Sequence, residues 1–126
     1  MKFHHISLTV KDFDTSISFY QDFFNYKEIK RFRRDDMKAT GCFLQSENLV
    51  IELWQFDDFK KGIKEDLSFV GIKHFAFTDD NPTLVRDLFL SKGINCSPLS
   101  QGVSGGIYFF LSDPDGNQIE IYKPNI

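Results

Sequence analysis

The chain has 126 residues, the length of one ordinary domain; 41% hydrophobic and 26% charged residues, with 15 phenylalanines among them, exclude a disordered chain. Fifteen basic against 18 acidic residues give a formal net charge of -3, which offers no footprint for a phosphate backbone, so no nucleic-acid partner is expected. Cys42 and Cys96 form no CxxC pair and no apolar run approaches the length of a membrane span, so the expectation is a cytoplasmic, soluble protein with reduced thiols and no membrane contact.

Residues 3–10 alternate, with His4, Ile6, Leu8 and Val10 on one parity and His5, Ser7 and Thr9 on the other, which predicts a half-buried strand. His4 shares the apolar parity and is expected to be structural; His5 falls on the polar side. Phe13, Ile17, Tyr20 and Phe24 lie at helical spacing and predict a helix over 13–24, capped by Asp12 or Asp14. Strands are expected over 26–33, 39–45 and 48–56, the last two joined by a tight turn at Ser46 and Glu47. The charged segment 57–66 reads as a solvated connection.

The pattern then begins again. A strand is expected over 71–78, and a helix opened by Asn81 and Pro82 carries an apolar stripe of Leu84, Val85, Leu88 and Phe89 before Gly93 ends it. Shorter strands are expected over 94–97, 107–111 and 117–122, the last two flanking a DPDG turn at 113–116. The chain is thus a duplicated strand, helix, three-strand unit, read as one domain over 1–126 with modules 1–62 and 68–126. His5 and Glu52 are 47 positions apart (52 minus 5); His74 and Glu120 are 46 apart (120 minus 74). Each half therefore sets a histidine on its first strand and a glutamate on its last.

Glu52 lies between Ile51 and Leu53, and Glu120 between Ile119 and Ile121. A carboxylate held in such a strand is costly unless its charge is compensated. Salt bridges to Lys or Arg are one compensation; the repeated histidine and glutamate favour a divalent cation. Two imidazoles and two carboxylates suit nickel, cobalt, iron, manganese or zinc with positions left for substrate, and nothing in the donor set selects among them. Trp54 and Thr9 share the parity of these candidates. The basic run Lys30, Arg31, Arg33 and Arg34 precedes Asp35 and Asp36 and reads as a solvated strand edge.

Along nearly its whole length the chain resembles the vicinal-oxygen-chelate superfamily and, within it, glyoxalase I, on the segments HHISLTVKDFDTSISFYQDFF, NLVIELWQF, GIKHFAF and DPDGNQIEIY. The resemblance implies an α+β fold of two βαβββ modules whose mixed sheets curl into a cup around one divalent metal. Its ligands would be His5, Glu52, His74 and Glu120, with Glu120 and Glu52 as the catalytic bases. The implied reaction is of the lactoylglutathione lyase type, isomerising a 2-oxoaldehyde–thiol hemithioacetal through a metal-bound enediolate. A homodimer acting on a small molecule is implied, with Thr9, Trp54 and Ser104 at the substrate pocket.

The resemblance breaks at three positions. Thr9, Phe56 and Ser104 stand where glyoxalase I usually carries the arginine, asparagine and lysine that hold glutathione, so the thiol is left open. The alternatives are another metalloenzyme of the superfamily (a dioxygenase, an epimerase or a thiol transferase of the fosfomycin-resistance kind) or a metal-free binder of small molecules like the bleomycin-sequestering members.

Overall fold

Strand β1 (His5–Thr9) turns Ile6 and Leu8 toward the interior and leaves His5, Ser7 and Thr9 exposed, as alternation requires. The chain then enters α1 (Phe13–Phe24), whose N-cap is Asp12: its carboxylate accepts the backbone N–H of Thr15 at 3.0 Å. Asn25 closes the helix in the left-handed conformation, φ 58°, which asparagine tolerates better than other non-glycine residues. The computed structural model describes residues 1–47, 49–63 and 66–126, and the chain divides into two compact units, Met1–Lys64 and Glu65–Ile126.

The first unit continues with β2 (Lys27–Arg34), β3 (Ala39–Gln45) and β4 (Val50–Phe56). Its sheet has the order β1-β4-β3-β2, with β1 parallel to β4 and the other pairs antiparallel. The expected start of the last strand at Asn48 lies outside the described residues. In register, Ile51 and Leu53 of β4 stand opposite Leu44 and Cys42 of β3, and all four are fully buried. With Phe13, Ile17, Phe19 and Tyr20 of α1 they make up most of this unit's core, each large apolar side chain contributing about 1.5–3 kcal/mol on leaving water. Burial pushes the Cys42 thiol up to about 11, so it packs as a small apolar group and stays protonated.

The second unit repeats the plan with β5 (His74–Thr78), α2 (Pro82–Ser91), β6 (Ser100–Gln101), β7 (Ile107–Ser112) and β8 (Gln118–Lys123), in the sheet order β5-β8-β7-β6. Again the first strand runs parallel to the last, and β7 pairs antiparallel with both neighbours. Two four-stranded mixed sheets with a helix each make an α+β architecture. Phe109, Leu111, Ile119 and Ile121 are buried on the face that α2 covers with Phe89. The DPDG turn forms as expected: Asp113 accepts the N–H groups of Asp115 and Asn117, and Gly116 takes φ 87°.

Three sequence expectations need correction here. The helical stripe is rotated: Leu84 and Leu88 are exposed, while Pro82 and Phe89 are buried and Val85 and Arg86 half-buried. Pro82 opens the helix under Asn81, which accepts from Leu84 N–H, and positions 82, 85, 86 and 89 then share one side at i, i+3, i+4 and i+7. The strand expected over 94–97 is reduced to one bridge, Cys96 to Leu111, and β6 forms at Ser100 instead. Pro98 lies between them and has no N–H to give a ladder. The strand expected from Gly71 begins only at His74, since Gly71 itself adopts φ 142°. Among the described residues no helix is long and apolar enough to cross a membrane.

Candidate metal-binding site

In the first unit the parallel pairing of β1 with β4 sets Ser7 directly opposite Glu52, with His5 opposite Val50 and Thr9 opposite Trp54. His5, Ser7, Thr9, Glu52 and Trp54 therefore share the sheet face that the helix does not cover. Ser7 Oγ donates to Glu52 Oε1 at 3.0 Å, and Trp54 Nε1 donates to the same oxygen at 2.7 Å. The Nδ1 atoms of His4 and His5 lie 2.8 Å apart, so one ring donates to the other. The expectation that His4 is a buried structural residue is corrected: it is exposed. It precedes the first residue of the ladder, and alternation of faces binds only within a strand.

Aromatic rings surround this face. Phe43, opposite Glu52 on β3, meets the His5 ring edge-on at 6.1 Å, and Phe32 meets Trp54 edge-on at 5.3 Å. Gly41 makes the second contact possible. It stands opposite both Phe32 and Trp54, and a Cβ there would come within 2.5 Å of the Phe32 ring and 3.2 Å of the indole.

The second unit builds the same register with different neighbours. His74 stands opposite Gln118 and Ala76 opposite Glu120, so His74 and Glu120 hold the diagonal relation that His5 and Glu52 hold. Here the two side chains meet directly, His74 Nε2 to Glu120 Oε2 at 3.1 Å. Phe110, opposite Glu120 on β7, lies edge-on to His74 at 5.2 Å, repeating Phe43 beside His5. Phe43 and Phe110 were missed in the sequence, although the signal was there: each precedes its glutamate by nearly the same interval (52 minus 43 is 9; 120 minus 110 is 10). Ser7 was missed as a functional group because its opposition to Glu52 depends on ladder register.

Each unit thus presents one imidazole and one carboxylate on an open face. Among the described residues no group of three or more His, Cys, Asp or Glu is gathered as a metal site; the structure brings His74 and Glu120 together and sets His5 and Glu52 on one face of the other unit. The donor chemistry fits a divalent cation: Glu52 Oε2 receives no protein donor among the described residues, and imidazole with carboxylate is the set such ions take.

Of the remaining candidates, Thr9 is exposed at the end of β1, Trp54 is half-buried, and Ser104 is exposed in the turn between β6 and β7. The arginines of the basic run are paired with neighbouring carboxylates, as expected of a solvated strand edge: Arg31 with Glu28, Arg33 with Asp35 and Asp57, and Arg34 with Asp36. A shallow depression lined by Leu99, Ser100, Gln101 and Ile107 lies at the β6–β7 edge and includes no candidate ligand.

Residues 2–121 match the Glyoxalase/Bleomycin resistance protein/Dioxygenase superfamily. The chain belongs to that superfamily. Among its relatives, a lactoylglutathione lyase of Haemophilus influenzae is 30% identical over 98% of this chain and 93% of its own length. A lactoylglutathione lyase of Arabidopsis thaliana is 27% identical over 97% of this chain, and the chain spans 44% of that plant protein's length. A glyoxalase family protein from Enterococcus faecalis, 20% identical, superposes with a TM-score of 0.87 over 97% of both chains, which establishes the shared superfamily fold.

Proposed function

We propose that this superfamily member is a divalent-metal-dependent isomerase of the glyoxalase I type, converting the hemithioacetal of a 2-oxoaldehyde and a thiol into an S-2-hydroxyacyl thioester. The observation that carries the reading is the repeated register: in each unit a histidine on the first strand stands diagonal to a glutamate on the last, on an open face, with a phenylalanine beside the imidazole. The ligand set is His5, Glu52, His74 and Glu120, two donors from each unit, supplied by one chain or by the two copies of a homodimer. When bound, the cation supplies positive charge that polarises the substrate's adjacent oxygens.

The chain's own residues move the proton. Glu120 takes it from the carbon that bears sulfur and returns it to the neighbouring carbon; the hydroxyl proton passes to the former ketone oxygen, so the hydroxyl carbon becomes the thioester carbonyl, the former ketone becomes a hydroxyl, and no oxidant or reductant is consumed. Glu52, restrained by two donors, serves chiefly as ligand and completes the pair of bases. Thr9, Trp54 and Ser104 border the pocket, and the absence of arginine, asparagine and lysine at positions 9, 56 and 104 favours a thiol other than glutathione. Unbridged Cys42 and Cys96 suit a reducing, cytoplasmic setting.

The test is elemental analysis of untagged protein followed by incubation of the nickel- or zinc-loaded form with methylglyoxal and, in parallel, glutathione, cysteine and coenzyme A, monitored by thioester absorbance. Stoichiometric metal and turnover with at least one thiol are expected. Metal without turnover on any thiol removes the isomerase, and protein that takes up no metal removes the enzyme reading in favour of a small-molecule binder.

A further inference from the structure

The duplication is broken at two positions that bear on the site. Ser7 and Trp54, both donors to Glu52, have as counterparts Ala76, opposite Glu120, and Tyr122, opposite Thr78. Ala76 has no donor, and the Tyr122 ring lies against Gly106, where an added Cβ would fall within 2.7 Å of it. Glu120 is left, among the described residues, with the approach of His74 Nε2 to its Oε2 at 3.1 Å.

From this asymmetry we infer that Ser7 and Trp54 are positioning residues that hold Glu52 ready to ligate a cation through Oε2, a restraint that Glu120 lacks. The inference rests on the ligand set proposed above. Both donors engage Oε1, at 3.0 and 2.7 Å, and together they occupy the two lone pairs of that oxygen. A glutamate side chain has three rotatable bonds, and two donors on one oxygen select one arrangement of them before any ligand arrives. The other oxygen is then the one available to a metal, and ligation spends no further ordering entropy on this side chain.

The donors are themselves held. Ser7 is fixed by the ladder directly opposite Glu52, and the indole is wedged by Phe32 across the gap that Gly41 leaves open. Glu120, which among the described residues meets an imidazole that is itself a candidate ligand and no fixed donor, keeps the freedom that moving a proton requires. One unit supplies a preset carboxylate and the other a mobile one.

Zinc affinity, measured by competition with a chromophoric chelator, tests the assignment. Trp54→Phe keeps a ring and removes the N–H; Ser7→Ala removes the hydroxyl; Ser7→Thr restores it. The first two substitutions are expected to weaken zinc binding about 10–100-fold, with Ser7→Thr within about threefold of the unsubstituted protein. Trp54 is the sole tryptophan, so the protein has one indole N–H resonance. In metal-free protein that resonance is expected to lie downfield, and to move to the position of a solvated indole in Glu52→Ala.

Folded variants with unchanged affinity overturn the positioning role and leave the ligand set standing, whereas unsubstituted protein that binds no zinc overturns both. If Ser7→Ala and Trp54→Phe fail to fold, the resonance decides alone: indifference to Glu52→Ala overturns the proposal, and the upfield move supports it.

Discussion

Nε2 of His74 lies 3.1 Å from Oε2 of Glu120, on residues two positions out of register, since it is Ala76 that stands opposite the glutamate. A diagonal pair on a parallel ladder is close enough for an imidazole and a carboxylate to touch, and equally placed for both to reach one ion. Glu120→Gln keeps the shape of the side chain and removes the base. It is expected to lower kcat about 10²–10⁴-fold while the fold, followed by circular dichroism, is unchanged. Retention of near-full kcat with the loaded variant would move the proton transfer elsewhere.

Duplication and the placement of the four candidate ligands could be read from parity and spacing, because a strand with one buried face commits every second residue. Ile51, Leu53, Ile119 and Ile121 are buried and the glutamates between them are not. What the sequence withheld is everything set by register between strands: that Ser7 rather than His5 stands opposite Glu52, that Phe43 and Phe110 flank the imidazoles, and that Trp54 donates to a carboxylate two residues away. His4 was misread for a related reason, since periodicity has no means of locating the first residue of a ladder. The stripe on α2 was misread by a small rotation, because adjacent apolar pairs such as Leu84–Val85 and Leu88–Phe89 fit two helical phases equally well.

That rotation has a measurable consequence in adjacent residues. Phe89 is 4% exposed and lies edge-on to Phe109, whereas Leu88 is 49% exposed. Phe89→Ala is expected to destabilise the protein by about 3–5 kcal/mol, and Leu88→Ala by no more than about 0.5 kcal/mol, as read from denaturant midpoints at a common slope. Equal losses would restore the stripe expected from sequence.

The acid side of the stability profile is set in part by the exposed network of Arg33. Its guanidinium donates to both carboxylate oxygens of Asp57, at 2.8 and 2.7 Å, and to Asp35 at 3.1 Å. The hydrogen bonds from Arg33 hold the Asp57 carboxyl below its ordinary value. Because the folded value is the depressed one, the stabilisation is fully present above the unfolded value of about 4 and is lost as pH falls through the folded value beneath it. Asp57→Asn cannot titrate. Its melting temperature is expected to lie below that of the unsubstituted protein at neutral pH, and the two curves are expected to converge on acidification below about pH 4. Asp36, depressed in the same way by Arg34, is untouched by the substitution and continues to contribute its own acid slope in both proteins, so only the Asp57 part of the difference disappears. Parallel curves down to the lowest pH at which the protein stays folded would show that this pair contributes nothing to acid sensitivity.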